Sequence, residues 1–267
     1  MHDDLKTNKT ILLDRDNRGV VTITLNRPEK HHAFNAAMIR ALHEAAEMIT
    51  QDNSIHAVVV QSTGPNFCAG GDLGWMKDQH DADRSGKIAE ATKLAMMLKA
   101  FHDLPCPVLC RVQGNAFGGG LGLMAVADIV IAVDSARFAL TETKLGLIPA
   151  TIGPFVVAKI GGAAARSVFI TGSIMSASRA RDMGLVSLSV TETALDETVA
   201  RELKTALNAA PGAMARAKAM LRAFTAPDLD AQITQAITHL ADCWESDETA
   251  AGIAAFFNKE KAPWIKD

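Results

Sequence analysis

The stretch Gly114–Ala132, GNAFGGGLGLMAVADIVIA, follows an apolar run, PVLCRV (Pro107–Val112). Glycine stands at 118, 119, 120 and 122, where a helix is expected to begin. Such residues bare the backbone and let another group approach the amides closely. Three demands account for that: a phosphate to be cradled, a tight helix contact, or a developing negative charge to be held. The dinucleotide fingerprint G-x-G-x-x-G fails, because the third glycine falls one residue early and the candidate acid, Asp134, lies too near. The Gly-Lys-Ser/Thr of a Walker-type loop does not occur.

A second segment follows the same plan. VVVQSTGPNFCAGGDLGWM (Val58–Met76) and VLCRVQGNAFGGGLGLM (Val108–Met124) each run from an apolar strand through Gly-x-x-Phe to glycines and Leu-Gly-x-Met. Gly64 and Phe67 thus correspond to Gly114 and Phe117. Close packing of helix on strand explains one such loop. Two loops of one plan fit donors converging on one oxygen, as an oxyanion hole requires. A helix N-terminus adds positive potential there. Proton chemistry then needs an acid or base nearby. Glu142, in RFALTETKLGLIPA (Arg137–Ala150), sits on a short polar island between apolar stretches. Buried there, its carboxyl would titrate near neutrality. The alternative reading makes TETK the opening of a turn, with Glu142 on its surface.

Outward from these loops, strands and helices alternate. TILLD and VVTITL flank RDNRG and predict a hairpin with Val21, Ile23 and Leu25 on one face. The loop LNRPEKHHAF leads to a helix on which Met38, Leu42, Ala45 and Ile49 recur, with Asn35 as N-cap. AVVVQS (Ala57–Ser62) reads as a strand buried on both faces. Residues 75–87 are strongly polar and predict a mobile surface segment. Ile88–Asp103 predicts a helix with Leu94, Met97, Leu98 and Phe101 inward, and PVLCRV, DIVIAV and RFAL are further strands. Beyond residue 190 helical stretches take over, at 194–209, 212–224, 231–245 and 247–258. The expected division is a mixed core over 1–192 and a helical, oligomer-forming region over 193–267.

Composition narrows the function classes. A net charge of −3 leaves no global basic field for nucleic acid or an anionic membrane. No uninterrupted apolar run approaches the ~20 residues of a membrane helix. The polar start, MHDDLKTNKT, lacks the apolar core of a signal peptide, so a cytoplasmic protein is expected. Cys68, Cys106, Cys110 and Cys243 are too few for a disulfide framework, and the spacing of Cys106 and Cys110 is not that of a zinc site. No metal is expected.

Six motifs together resemble the crotonase, or enoyl-CoA hydratase/isomerase, superfamily: LNRPEKHHAFN, FCAGGDL, GNAFGGGLGLMAVADIVIA, ARFALTETKLGLIPA, RARDMGLV and FFNKEKAPW. The resemblance covers nearly the whole chain. It implies an α/β fold of the ClpP/crotonase kind, a spiral of β-β-α units with a C-terminal helical trimerisation region. A homotrimer or dimer of trimers would be the assembly. It implies that the N–H groups of Gly71 and Gly119 hold the thioester carbonyl and its enolate, and that Glu142 is the catalytic acid/base. The best-known hydratases carry a second glutamate just after the triple glycine; Gly122 stands there in this chain. GGDLGWMK with TETKLGLIPATIGPFV is most similar to the methylglutaconyl-CoA and isohexenylglutaconyl-CoA hydratases, a branch in which glycine is common at that position. Hydration of a branched or glutaconyl-type enoyl-CoA is therefore expected, with a single-glutamate Δ3,Δ2-enoyl-CoA isomerase as the alternative.

The resemblance also implies a coenzyme A site, the coenzyme being part of the substrate rather than a separate cofactor. Lys30, His31, Ala33 and Ala69 match positions that hold its adenine-pantetheine portion, and His32 stands where asparagine is common. Phe257 matches an adenine-contacting aromatic, while Glu260 replaces a family lysine and is flanked by Lys259 and Lys261. Asp72, Leu73 and Trp75 complete the expected substrate-binding set, with Lys77 or Lys144 as partner for a substrate carboxylate; Asp72 and Asp128 can equally bond adjacent backbone. One relative of this branch binds AU-rich RNA through a lysine comb on its first helix. Here that helix, AAMIRALHEAAEMITQ, offers Arg40 alone, so RNA binding is not expected.

Overall fold

Local chemistry sets the first hairpin. Asp16 accepts the N–H groups of Arg18 and Val20 at 2.8 and 3.1 Å, and Gly19 takes φ +77°. These close the turn between β1 (Ile11–Arg15) and β2 (Val20–Leu25). Val21, Ile23 and Leu25 are fully buried, as their alternation predicts. The computed structural model describes residues 9–225 and 228–265.

From β2 onward a strand, a short second pairing segment and a helix recur. After β2 comes Phe34, then α1 (Ala36–Gln51), whose first turn is capped by the Asn35 side chain accepting from the Met38 N–H. Next, β3 (Ala57–Ser62) leads through Cys68–Gly71 to α2 (Leu73–Asp81) and α3 (Arg84–Asp103). Then β4 (Val108–Val112) and β5 (Ala116–Phe117) precede α4 (Gly119–Val126). A fourth unit comprises β6 (Ile129–Val133), β7 (Arg137–Ala139) and α5 (Gly153–Thr171). After it follow β8 (Met175–Ser176), α6 (Ala177–Asp182) and β9 (Leu188–Val190). The helices α7 (Leu195–Leu207), α8 (Pro211–Thr225), α9 (Leu229–Trp244) and α10 (Asp247–Asn258) complete the sequence.

The main sheet has the order β1-β2-β3-β4-β6-β9, parallel beyond the first hairpin. Its central strands are buried on both faces, as covered parallel strands must be: Ala57, Val58, Val59 and Val60 of β3 are all inside. The second pairing segments form their own layer. Phe34 bridges to Gly71, Cys68 to Ala116, β5 to β7 and β7 to β8. This is the α/β crotonase spiral, with a C-terminal helical region. Leu195, Val199 and Leu203 of α7 and Leu229, Ile233 and Ile237 of α9 share one hydrophobic cluster with the strands and α3.

Two features differ from expectation. Residues 75–87 are not a mobile polar segment: most of them lie in α2 and the start of α3. The Asp72 carboxylate caps α2 through the N–H groups of Gly74 and Trp75, and Asp83 caps α3 through Gly86. The polar side chains there mostly face solvent, leaving a narrow inward face. The long helix α5 has no counterpart in the predicted elements, because Gly161 (φ +76°) breaks its helical course midway. By length and composition α5 alone among the described helices could cross a bilayer. Phe155, Val156, Ala165 and Val168 nonetheless pack into the core, and the Lys159 Nζ donates to the Ala127 carbonyl at 2.7 Å.

The two glycine loops lie back to back. A Cβ built on Gly114 would sit 1.8 Å from the Pro65 carbonyl oxygen, an overlap that only backbone movement relieves. Gly114→Ala is expected to lower unfolding free energy by roughly 3 kcal/mol or more. Urea denaturation of the variant against the parent protein checks this, and an unchanged midpoint would contradict the packing.

Candidate active site

Three loops meet at the carboxyl-terminal ends of β2, β3 and β4. The Phe34 N–H donates to the Gly70 carbonyl at 2.7 Å, and the Asp72 N–H to the Phe34 carbonyl at 2.8 Å. Phe67 and Cys68 donate to the Asn115 carbonyl, and Phe117 donates back to the Cys68 carbonyl at 2.8 Å. Side chains add to this weave. Arg27 donates to the Ala33 carbonyl at 2.6 Å and pairs with Asp72 at 2.9 Å. Burial pushes the Asp72 carboxyl up, but Arg27 and the capped amides outweigh it and hold the group below its usual range. His32 is buried at φ +57°, its Nδ1 accepting from the Arg27 N–H and its Nε2 bonded to the Thr63 carbonyl at 2.5 Å. Burial favours its neutral form, which this pairing needs. The Cys68 thiol donates to the His32 carbonyl at 3.2 Å and receives the N–H groups of Gly70 and Gly120. Burial raises it to about 12, so it is a structural thiol and not a nucleophile.

This weave leaves two amides over. Parallel pairing to Phe34 uses Gly70 O and Asp72 N, so the Gly71 N–H points to the other side of the chain. Gly119 opens α4, where first-turn N–H groups have no intrahelical acceptor. Gly118 bonds to Ala139 and Gly120 to Cys68, while Gly71 and Gly119 have no acceptor among the described residues. Gly118 adopts φ +45°, ψ −117°, a conformation reserved for glycine. A Cβ at Gly119 would strike the Phe34 ring at 2.8 Å.

Both amides line a cavity of about 120 Å³ whose walls include Phe34, Trp75, Met76, Leu94, Ile152 and Glu142. Glu142 begins a short turn, Glu142–Leu145, closed by Gly146 at φ +78°. Its side chain turns inward. Oε2 is buried without a hydrogen-bond partner, and Oε1 lies against Gly118. Burial raises the carboxyl to about 7. The turn is held from behind by α10: Thr249 Oγ1 donates to the Gly146 carbonyl at 2.7 Å, and Gly252 leaves room for the Leu145 carbonyl.

Comparison with known proteins fits this geometry. The family profile described as enoyl-CoA hydratase/isomerase matches residues 15–267. The chain belongs to the enoyl-CoA hydratase/isomerase family. It is 34% identical to a Mycobacterium tuberculosis protein named "Probable enoyl-CoA hydratase", over 96% of this chain and 98% of that one. It is also 34% identical to the 1,2-epoxyphenylacetyl-CoA isomerase of Escherichia coli, over 73% of this chain and 76% of that protein. An enoyl-CoA hydratase structure from Mycobacterium avium superposes with a TM-score of 0.85 at 26% identity, covering 97% of this chain and all of that one.

Within this enoyl-CoA hydratase/isomerase family member, the cavity gathers Gly71, Gly119, Glu142 and Trp75 from the expected set. Lys30, His31 and Ala33 share one turn outside it, and Ala69 of the loop after β3 is bonded to that turn, its N–H donating to the His31 carbonyl at 2.9 Å; Ala33 is buried while the others are exposed. Asp72 is engaged with Arg27 and the α2 cap, and does not line the cavity. Leu73 is 51% exposed on the first turn of α2 and faces solvent instead. Phe257 is exposed on α10, and Lys259 and Lys261 follow nearby; none lines the cavity. Lys77 and Lys144 are exposed and lie off it as well, whereas Lys87 lines it, with Gln79, Leu240 and Trp244. Asp128 accepts the Val108 N–H and pairs with Lys218 at 2.6 Å, a structural tie.

The Gly122 position is not an empty socket. A Cβ there would lie 2.8 Å from Ile152 Cγ2 and 2.9 Å from Leu98 Cδ1. Apolar packing therefore occupies the space a second carboxyl would need, and Glu142 is the one acid among the described cavity residues.

Glu142 makes stability depend on pH. Its folded value of about 7 exceeds the ordinary 4.5, so the native state keeps a proton the unfolded chain releases. Stability from this group is whole below 4.5 and falls as pH rises towards 7. Glu142→Gln lacks that penalty. It should match the parent protein in acid and exceed it by about 1–3 kcal/mol at ~pH 8, read by urea melts at both pH values.

Proposed function

We propose that the protein adds water across the double bond of an α,β-unsaturated acyl-CoA thioester, with a branched or glutaconyl-type acyl group. One observation carries the reading: a buried carboxyl whose Oε2 has no hydrogen-bond partner, raised to about 7, shares a cavity with the two free amides of Gly71 and Gly119. The thioester oxygen docks on those amides. Glu142, as carboxylate, takes a proton from water, and the hydroxide forms its bond at the β-carbon. The electron pair of the double bond moves to the thioester oxygen, and the enolate is held by two N–H groups and the amino-terminal end of α4. The protonated Glu142 then returns its proton to the α-carbon, so one molecule of water is added in balance.

The turn of Lys30, His31, Ala33 and Ala69 holds the coenzyme portion of the substrate, with Phe257 and Lys261 as further contacts, and no other cofactor is required. The glutaconyl-type acyl group is supported by the motifs GGDLGWMK and TETKLGLIPATIGPFV. Exposed Met220, Leu221 and Phe224 on α8 support self-association, proposed as a homotrimer or dimer of trimers; the location proposed is the cytoplasm.

A second reading has its own support. With Leu98 and Ile152 packed over Gly122, a single carboxyl faces the cavity, as suits an isomerase that lifts a proton and returns it two carbons away.

Glu142→Gln should lower kcat/KM for enoyl-CoA hydration by about 10²–10⁴-fold, with the fold intact. Near-normal turnover overturns the assignment. In the parent protein the rate should rise through about pH 7 as the carboxylate forms; a flat profile there is the opposing outcome. Product position, read by mass spectrometry from 2-enoyl- and 3-enoyl-CoA, separates hydration from isomerisation.

A further inference from the structure

The space over Gly122 is filled by Leu98 and by Ile152, the residue that precedes α5. Ile152 ends a loop that turns around the reactive end of the cavity. The Leu147 N–H donates to the Glu142 carbonyl at 3.0 Å, and from Leu147 to Ile152 every residue but Ala150 lines the cavity. Gly118, against which Glu142 Oε1 lies, stands about one turn before Gly122. Thr151, beside Ile152, is thereby held near the reactive end.

Thr151 is the one hydroxyl residue among the described residues lining the cavity. The fold makes no use of its hydroxyl. A threonine ahead of a helix commonly bonds a first-turn N–H. Here Ile152 takes the N-cap position of α5, and no side chain caps that helix. Thr50, Thr92 and Thr171 instead bond the carbonyl one turn back on their own helices. Thr151, outside the helix, makes no hydrogen bond to any described residue. It is half-buried, and its Oγ1 is not among the side-chain atoms sealed from solvent, so the hydroxyl stays open to the cavity. The other polar groups stand farther off. Lys87 lies about three turns along α3 from Leu98, and Gln79 a turn beyond the Met76 that flanks Gly71.

Addition needs water to be held as well as activated. A water bound by Glu142 alone turns freely about that one bond, and its lone pair is seldom aimed at carbon. A second contact fixes its orientation. A hydroxyl suits the task, because it accepts or donates as its rotor demands and adds no charge to an apolar pocket.

We propose that the Thr151 hydroxyl is the second partner of the attacking water. Its Oγ1 accepts one water hydrogen while the Glu142 carboxylate takes the other as a proton, which presents an oxygen lone pair to the β-carbon. The new C–O bond, the enolate and the return of the proton to the α-carbon follow as above, and Thr151 ends the cycle unchanged. This rests on the hydration reading. It separates two tasks: Glu142 moves the proton, and Thr151 aims the water.

The test compares a step that needs water with one that does not. Hydration is measured on crotonyl-, 3-methylcrotonyl- and glutaconyl-CoA. Exchange of the α-protons of butyryl-CoA with D₂O, read by mass spectrometry, requires Glu142 and the two amides but no attacking water. Thr151→Val should lower kcat for hydration on the order of 10²-fold. Its α-proton exchange, and its affinity for butyryl-CoA by calorimetry, should stay within about twofold of the parent protein. Thr151→Ser, which keeps the hydroxyl, should retain most of the hydration. Unchanged hydration in Thr151→Val overturns the proposal. So does a parallel loss of hydration, exchange and affinity, which marks a merely structural residue, or a Thr151→Ser variant as slow as Thr151→Val. If Thr151→Val fails to fold, Thr151→Cys, whose sulfur is a weak acceptor, takes its place. A parent protein that exchanges α-protons yet hydrates none of the three compounds overturns the hydration reading and this proposal together. A parent protein and a Thr151→Val variant that hydrate equally overturn this proposal alone.

Discussion

The constraint on which the site depends is a run of backbone hydrogen bonds between successive loops. Phe34 pairs with Gly70 and Asp72, Cys68 with the Asn115–Phe117 segment, and Gly118 with Ala139. Each loop is thereby a strand of a small second layer, locked to the one before it. Parallel pairing commits alternate amides and leaves those between them facing away. The free N–H of Gly71 is a by-product of pairing its neighbours, and that of Gly119 a by-product of starting a helix there. Two amides free to donate arise here without any side chain devoted to them, and they are as rigid as the layer that supplies them.

Much of this was readable from residue order. The echo between Val58–Met76 and Val108–Met124 located both glycine loops, and the hydrophobic alternation of β2 fixed its buried face. The same echo holds physically: Phe67 and Cys68 bond directly to Asn115. The fate of Glu142 was not readable, since TETK serves equally to open an exposed turn; only packing of that turn against Gly118 and α10 buries it. The α2 segment was hidden by its composition, because its other polar residues mostly face water while Trp75, Met76, Gln79 and His80 turn inward. Lys87 had a usable signal, the spacing it shares with Ala91, Leu94 and Leu98. Lys77 and Lys144, closer in sequence to the motifs, lie off the cavity. The two-residue strands β5 and β8 are too short to carry a period.

The carboxyl of Glu142 shows how function sits against stability. A buried acid with one oxygen left unpartnered weakens the fold near neutrality, and a hydrogen-bond donor beside Oε2 would cure that. Such a donor would also pull the group back toward the ordinary carboxylate range and remove its capacity to exchange protons near pH 7. Leu98 and Ile152 fill the space at Gly122, so no second carboxyl stands near to share the proton work, and burial alone raises the first.

Thr249 gives the architecture a temporal side. Its hydroxyl bonds Gly146 across 103 positions of sequence, and α10 seals the turn that buries Glu142. A nascent chain that has released residues 1–200 from the ribosome already holds both glycine loops and the glutamate. Without α10 that turn lacks both the Thr249 bond and the close packing of Gly252 on Leu145. The turn that carries the acid is therefore braced only when a helix about a hundred residues further along the chain has been made.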